Sequence, residues 1–248
     1  MASIVHLRFY AELNDFLPPE KRQGTFAHSF FGRPTIKDLI ESLGVPHTEV
    51  DLILVEGKTV DFSYRVGDGD YISIYPVFEA LDITPVLRVR PEPLREPRFV
   101  LDTHLGKLAS YLRMLGFDTL YRNSCTDEEL AAISANESRI LLTRDRGLLK
   151  RSSVTHGYLV RNDYPREQLK EVLHRFDLFK SAQPFRRCMR CNEILESVPL
   201  KEIEDRVPER VRKTAGEYKR CLGCSRIYWK GSHYKKMAGF ISRLITEK

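Results

Sequence analysis

The chain lacks the marks of several common protein classes. No apolar run is long enough to span a bilayer, and no charged-then-apolar leader pattern opens it. A cytosolic location and no membrane partner are the expectation. There is no glycine-rich phosphate loop, no G-x-S-x-G turn and no dinucleotide fingerprint, which removes the commonest nucleotide-dependent and hydrolase readings. Cysteine is sparse, with five in 248 residues. What remains is the composition of an ordinary globular protein, long enough for one large domain or two to three small ones.

Charge is distributed unevenly. Residues 1–80 carry 7 Lys+Arg against 12 Asp+Glu, a net of −5, whereas residues 181–248 carry 16 against 8, a net of +8. An acidic head and a basic tail suggest separate modules, with the tail the place for a polyanion. A solvated basic face is the plain alternative, and charge alone does not decide between them.

The head, 1–80, opens with "IVHLRFYAEL", where Val5, Leu7 and Phe9 alternate with polar positions as in a half-buried strand. In "PTIKDLIESLG", Thr35 is a candidate N-cap, Ile36, Leu39, Ile40 and Leu43 share one helical face, and Gly44 is placed to stop the helix. Two strand-like runs follow, "DLILVEGKTV" and "YISIYPV". The pattern is an α+β unit that resembles the ubiquitin-like β-grasp fold, and "VGDGDYISIYPV" resembles the end of its sulfur-carrier branch. The stretch that follows, "VFEALDI", has no glycine pair, so the expectation is a binding or structural role, with a protein partner, and not sulfur carriage. Residues 81–98 include "TPVLRVRPEPLREPR", with four prolines and four arginines, which reads as a semi-rigid linker.

Residues 99–180 alternate strand and helix. "RFVLD" is a short strand ending in Asp102, and "HLGKLASYLRMLG" carries Leu105, Leu108, Leu112 and Leu115 on a stripe stopped by Gly116. "FDTLY", "RILLT" and "HGYLV" are further strands, "TDEEL" opens a helix with a capping box of Thr126 and Glu129, and "PREQLKEVLHRF" starts a helix with proline in its first turn. Such alternation predicts a parallel sheet with flanking helices.

In an open parallel sheet, ligands bind outside the carboxyl ends of the strands. Asp102 and Asp145 stand at two such ends, and Asp127 and Glu128 open a helix leading into one of those strands. Each has a plain explanation: acids in a first helical turn suit the helix dipole, and Asp145 in "TRDRG" fits a turn. Taken together they favour function. Crowded carboxylates repel and persist only when cations neutralise them, and oxygen-only ligands select hard ions such as Mg²⁺ or Mn²⁺. That chemistry suits a nuclease. Arg144 and Arg146, with Lys107 and Arg113, would hold a phosphate backbone, or else form solvated faces.

At these residues the chain resembles the PIN-fold ribonucleases, in particular the C-terminal ribonuclease domain family named after the exoribonuclease mut-seven. The likeness runs through "RFVLDTHLGKLASYLRMLGFDTLY", "TDEEL" and "RILLTRDRGLL" and continues to "YWKGSHYKKM"; bacterial members also carry the ubiquitin-like head. The resemblance implies metal binding at Asp102, Asp127 and Asp145, with Glu128 and Asp118 as further members. PIN sites draw on four acidic positions, so the fourth stays open between these two, as does the number of metals.

The cysteines form two pairs, Cys188-x-x-Cys191 and Cys221-x-x-Cys224, with 29 residues between them. In a cytosolic chain paired cysteines read as metal ligands before disulfides, and this is the layout of a zinc ribbon over 181–248. A thioredoxin-like redox site is the competitor, but it needs one pair only. Four thiolates leave no open position, so zinc here is expected to be structural. Tyr218, Tyr228, Trp229 and Tyr234 lie among the Arg and Lys of this segment; they would stack bases or form the ribbon's own core. His233 is expected not to be a ligand, and the lone Cys125 to be packing. The expected protein is therefore an RNA-cleaving enzyme, the alternative being a non-catalytic RNA- or ribosome-binding adaptor.

Overall fold

A computed structural model of the protein describes residues 2–76 and 97–246. Of the Pro/Arg-rich stretch only Pro97 and Arg98 fall within this range, and "VFEALDI" lies outside it.

The head is a five-stranded sheet in the order β2-β1-β5-β3-β4. Strand β1 (Ser3–Phe9) buries Val5, Leu7 and Phe9 and exposes Arg8, as its alternation predicts. Strand β2 (Phe26–Phe30) pairs antiparallel with β1. It carries no strand signal in the sequence, because Ala27, His28 and Ser29 are weak strand formers held at a sheet edge. Helix α1 (Ile36–Ser42) begins at Thr35, whose hydroxyl accepts the Asp38 N–H while the Asp38 carboxylate accepts the Thr35 N–H. The run "DLILVEGKTV" is a hairpin of two strands, β3 (Val50–Val55) and β4 (Lys58–Val60). Glu56 and Gly57 turn it at φ 47° and 76°, the left-handed pair that a two-residue hairpin requires. Strand β5 (Tyr71–Pro76) runs parallel to β1 and antiparallel to β3, which closes the β-grasp around α1.

The middle segment follows the expected alternation. Strand β6 (Phe99–Leu101) is wholly buried. Leu105, Leu108, Leu112 and Leu115 line the buried side of α2 (Gly106–Met114) and its flanking turns. Gly116 ends the helix at φ +94°, and a Cβ there would stand 2.2 Å from the Gln183 carbonyl oxygen, so only glycine fits. Strand β7 (Thr119–Tyr121) pairs in parallel with β6. Helix α3 (Asp127–Asn136) carries the capping box of Thr126 and Glu129. Strand β8 (Ile140–Thr143), fully buried, leads to the single turn α4 (Arg146–Leu149) and pairs in parallel with β9 (Gly157–Leu159). Unbroken burial along β6 and β8 is what parallel strands covered on both faces show. Helix α5 (Pro165–Arg175) follows, with proline at its start.

The C-terminal segment is a three-stranded antiparallel sheet, β10 (Leu195–Ser197), β11 (Tyr218–Cys221) and β12 (Ile227–Trp229), with the short α6 (Glu209–Arg212) between the first two. Its core is small: Val198, Ile203, Val207 and Tyr218 in one cluster, Cys188, Leu195 and Cys221 in another. Helix α7 (Ser232–Thr246) buries Ile241 and Leu244 and sets Phe240 against Tyr111 of α2 and the Arg166 guanidinium of α5.

The chain packs as two compact units that interleave in sequence: Met1–Glu96 with Ser124–Val160, and Pro97–Asn123 with Arg161–Lys248. In the first, the head grips the β8–β9 segment. Lys150 Nζ donates to Glu41 O at 2.7 Å, His47 Nε2 lies 2.8 Å from Val154 O, and the fully buried Glu49 accepts the Leu159 N–H at 2.7 Å. The Arg146 guanidinium lies 5.1 Å over the Phe16 ring. In the second, the cysteine-bearing sheet shares a unit with β6, α2, β7 and α5. Among the described residues no helix is long and apolar enough to cross a membrane.

Candidate functional site

The sequence repeats one small device at the two cysteine pairs. In the first knuckle Cys188 N–H donates to Glu193 O and Asn192 N–H donates to Cys188 O, at 2.8 and 2.9 Å. In the second, Cys221 N–H donates to Arg226 O and Ser225 N–H to Cys221 O, both at 2.9 Å. Each knuckle turns through a left-handed residue four places after its first cysteine, Asn192 at φ 74° and Ser225 at φ 56°. The two turns present all four sulfurs to one point, with the ligand atoms within 4.8 Å of one another. Cys188 and Cys224 are 3.6 Å apart and Cys191 and Cys221 3.3 Å, too far for a disulfide. Thiolates held about 2.3 Å from one ion stand about 3.8 Å apart in a tetrahedron, so the group fits zinc. The Tyr228 hydroxyl lies 3.1 Å from Cys188 Sγ. Burial raises the Cys188 thiol, but hydrogen bonds from Tyr228 and the backbone at Cys191 and Arg190 bring it down to about 6; burial pushes Cys221 up to about 12. His233 and Cys125 stand outside the group.

The first knuckle is bolted to the start of β7. Asn192 Oδ1 accepts the Thr119 N–H at 2.9 Å, and Asn192 Nδ2 donates to Asp118 Oδ1 at 2.8 Å. Arg187 reaches Asn192 O at 2.9 Å and pairs with Asp118 at 3.6 Å. Arg113 donates from Nε to Thr119 O at 2.9 Å and from its guanidinium to Arg190 O at 2.8 Å. These partners tie Arg113 and Asp118 to the first knuckle. Arg113 is 4 % exposed, its guanidinium turned inward onto carbonyls. Asp118 is held by Asn192 and Arg187. A buried guanidinium needs acceptors on several sides, and the knuckle carbonyls supply them.

The remaining acids sit at element ends. Asp102, directly after β6, is buried and accepts from His104 N–H at 3.1 Å and the Thr103 hydroxyl at 3.0 Å. Asp127 and Glu128 open α3 and are exposed; Arg151 lies 2.8 Å from Glu128 Oε1 and 3.9 Å from Asp127 Oδ2. The Glu128 backbone N–H and Arg151 hold the Glu128 carboxyl below its usual range. Asp145, after β8, caps α4 by accepting the Gly147 N–H at 2.6 Å, and its own N–H donates to the Thr143 hydroxyl at 2.9 Å. Asp102 belongs to one compact unit and Asp127, Glu128 and Asp145 to the other. Lys107 and Arg144 are exposed, and Arg146, also exposed, leans on Phe16.

Residues 97–241 match the Mut7-C RNAse domain. The chain belongs to the Mut7-C family. Residues 2–82 match the Mut7-C ubiquitin domain, so the head and the nuclease-type region both have their counterparts in it. A ribonuclease-type function comes with the Mut7-C RNAse domain. No curated protein and no solved structure matches the chain.

Several working residues of this Mut7-C chain carry no obvious sequence signal. Arg151, in "KRSSVTHG", reads as an ordinary loop cation, and Glu49 as an ordinary surface acid. Asn192 does carry one: an asparagine just after C-x-x-C suits a left-handed turn, and its amide is then free to reach β7.

Proposed function

We propose that the protein is a divalent-metal-dependent, PIN-type ribonuclease that hydrolyses RNA phosphodiester bonds in the cytoplasm. The observation that carries this reading is the RNAse-domain match over residues 97–241, which contains every candidate acid. Asp102, Asp127 and Asp145 are the metal ligands, with Glu128 or Asp118 as the fourth acid, the first already paired with Arg151 and the second with Arg187. The donor set supports a hard ion: all donors are carboxylate oxygens, and Arg151 already lies against Asp127 and Glu128 as a cation would. Bound Mg²⁺ or Mn²⁺ supplies an activated water and positive charge at phosphorus. Arg144 and Lys107 hold the RNA backbone, Arg146 orders the turn after Asp145 through Phe16, and the four cysteines hold a structural zinc that lets the ribbon assist RNA binding. The head buttresses the β8–β9 segment through Glu49, His47 and Lys150 and offers a surface for a protein partner.

The test is cleavage of labelled single-stranded and structured RNA in divalent-free buffer that leaves the zinc in place, then with Mg²⁺ or Mn²⁺ restored. Metal-dependent cutting that Asp102→Asn and Asp145→Asn each abolish, with RNA binding spared, is the expected result. A second reading, a non-catalytic RNA- or ribosome-binding adaptor, is favoured by the engagement of Asp118 and Glu128 in ion pairs. Binding without cutting under either metal would establish it.

A further inference from the structure

Beside the zinc sheet lies a cleft of about 920 Å³, inside the range of sites that enclose a small organic group. Phe185, Tyr228, Trp229 and Tyr234 are among its walls, and Tyr234 packs on Phe185 at 4.4 Å between ring centres. Three of its cations are already engaged: Arg187 on Asp118, Lys219 on Phe185 O at 3.1 Å, and Lys230 on Glu217 at 2.6 Å. Glu217 is the one acid among the lining residues, and Lys230 neutralises it. Arg210 and Arg226, both exposed, face no carboxylate among the described residues and give the cleft its positive charge.

A second, smaller hollow of about 300 Å³ shares Arg226, Ile227 and Trp229 with the first and adds Arg190 and Arg206. Arg206 is tied to Ser225 O at 2.6 Å, whereas Arg190 and Arg226 are exposed. Trp229 thus stands as a party wall, half-buried against the Val198–Val207 cluster, with aromatic surface on one side and guanidinium groups on the other.

We propose that this paired site takes single-stranded RNA, with an unpaired base entering the aromatic cleft and its phosphates lying on Arg226 and Arg190. The proposal deepens the ribonuclease reading and rests on it. Base–aromatic stacking tolerates any base, because each has a π-face, and adjacent arginines hold the backbone. Duplex RNA has its bases stacked inward and its readable groove shallow, so it cannot fill the cleft. The site therefore selects unpaired over paired substrate. An acidic protein segment would use the arginines but leave the aromatic faces without a stacking partner.

Trp229 is the single tryptophan of the chain and so reports on this site alone. The full-length Asp145→Asn chain, zinc-loaded and without added divalent ion, is titrated with a short labelled RNA, with the same strand in a duplex, and with polyglutamate. Both tryptophan emission and label anisotropy are read. Saturable quenching by the single strand is expected, with the duplex about tenfold weaker and with Tyr234→Ala and Arg226→Ala each costing about tenfold. Zinc content identifies a variant that has merely misfolded, and the second variant then carries the test. RNA binding that leaves the tryptophan silent, equal affinity for the duplex, or quenching by polyglutamate in place of RNA would overturn the proposal. The two readings separate cleanly. Quenching by RNA that the wild type never cuts keeps the cleft and removes the nuclease, while cutting with a silent tryptophan does the reverse.

Discussion

Asn192 leaves the first cysteine knuckle to accept the backbone N–H of Thr119, the first residue of β7, at 2.9 Å. The knuckle thereby completes a strand that lies 73 positions earlier in the chain. If zinc folds the knuckle as proposed, metal loading and β7 order are coupled through this bond.

Replacing Asn192 separates the side chain from the backbone turn. Glycine suits the φ of 74°, so Asn192→Gly keeps the turn and removes only the amide. The fully buried Thr119 N–H then loses its acceptor, which costs about 1–3 kcal/mol. Asn192→Ala adds about 1 kcal/mol for the left-handed backbone. Thermal unfolding at fixed zinc checks both. A glycine variant as stable as the wild type would show that the amide is no latch.

Arg151 bears on the proposed metal ligands. If Asp127 and Glu128 serve the ion, Arg151, at 3.9 and 2.8 Å from them, competes with it. Exposed pairs contribute at most about 1 kcal/mol, so Arg151→Gln should lower the Mg²⁺ or Mn²⁺ concentration for half-maximal cleavage by up to about fivefold. An unchanged metal dependence would remove the α3 acids from the site.

Much of this was legible in the sequence, and what escaped has a common cause. Periodicity and caps marked α1, α2, α3 and α5, because Thr35, Thr126 and the leucine stripe act through neighbours three or four residues away. The cysteine spacing marked the metal group for the same reason. Strand β2 and the Glu56-Gly57 hairpin were missed because a weak strand becomes one only when β1 lies beside it, and a glutamate rarely announces a left-handed turn. The inward bonds of Arg113 were not legible, because a helical arginine has the same local pattern whether it meets solvent or, as here, the Arg190 carbonyl 77 residues on.

His28 gives the head a pH dependence of known sign. Burial, then the Lys21 charge, lowers its pKa from 6.5. A histidine whose folded-state value lies below its unfolded one binds protons more readily when unfolded. Its contribution is therefore intact above pH 6.5 and is lost as the pH falls from there through the folded-state value. Melting temperatures between pH 7.5 and 5.5 should fall more steeply for the wild type than for His28→Gln. Parallel curves would show that the ring is not desolvated in β2.

Arg113 and Arg144 offer opposite outcomes in one experiment. Each phosphate contact to a single strand contributes about −0.7 to the slope of log affinity against log salt. Arg144 is exposed beside Asp145, and Arg144→Gln should weaken RNA binding and make that slope shallower by about that amount. Arg113 is 4 % exposed and bonded to Thr119 O and Arg190 O, so Arg113→Gln should leave the slope unchanged while lowering the melting temperature and loosening zinc. The stability loss follows from stranding carbonyls that a shorter, neutral amide cannot reach together. A shallower slope in the Arg113 variant, with zinc retention and melting unaltered, would return that arginine to the RNA surface and would mean that the α2–knuckle clamp opens in solution.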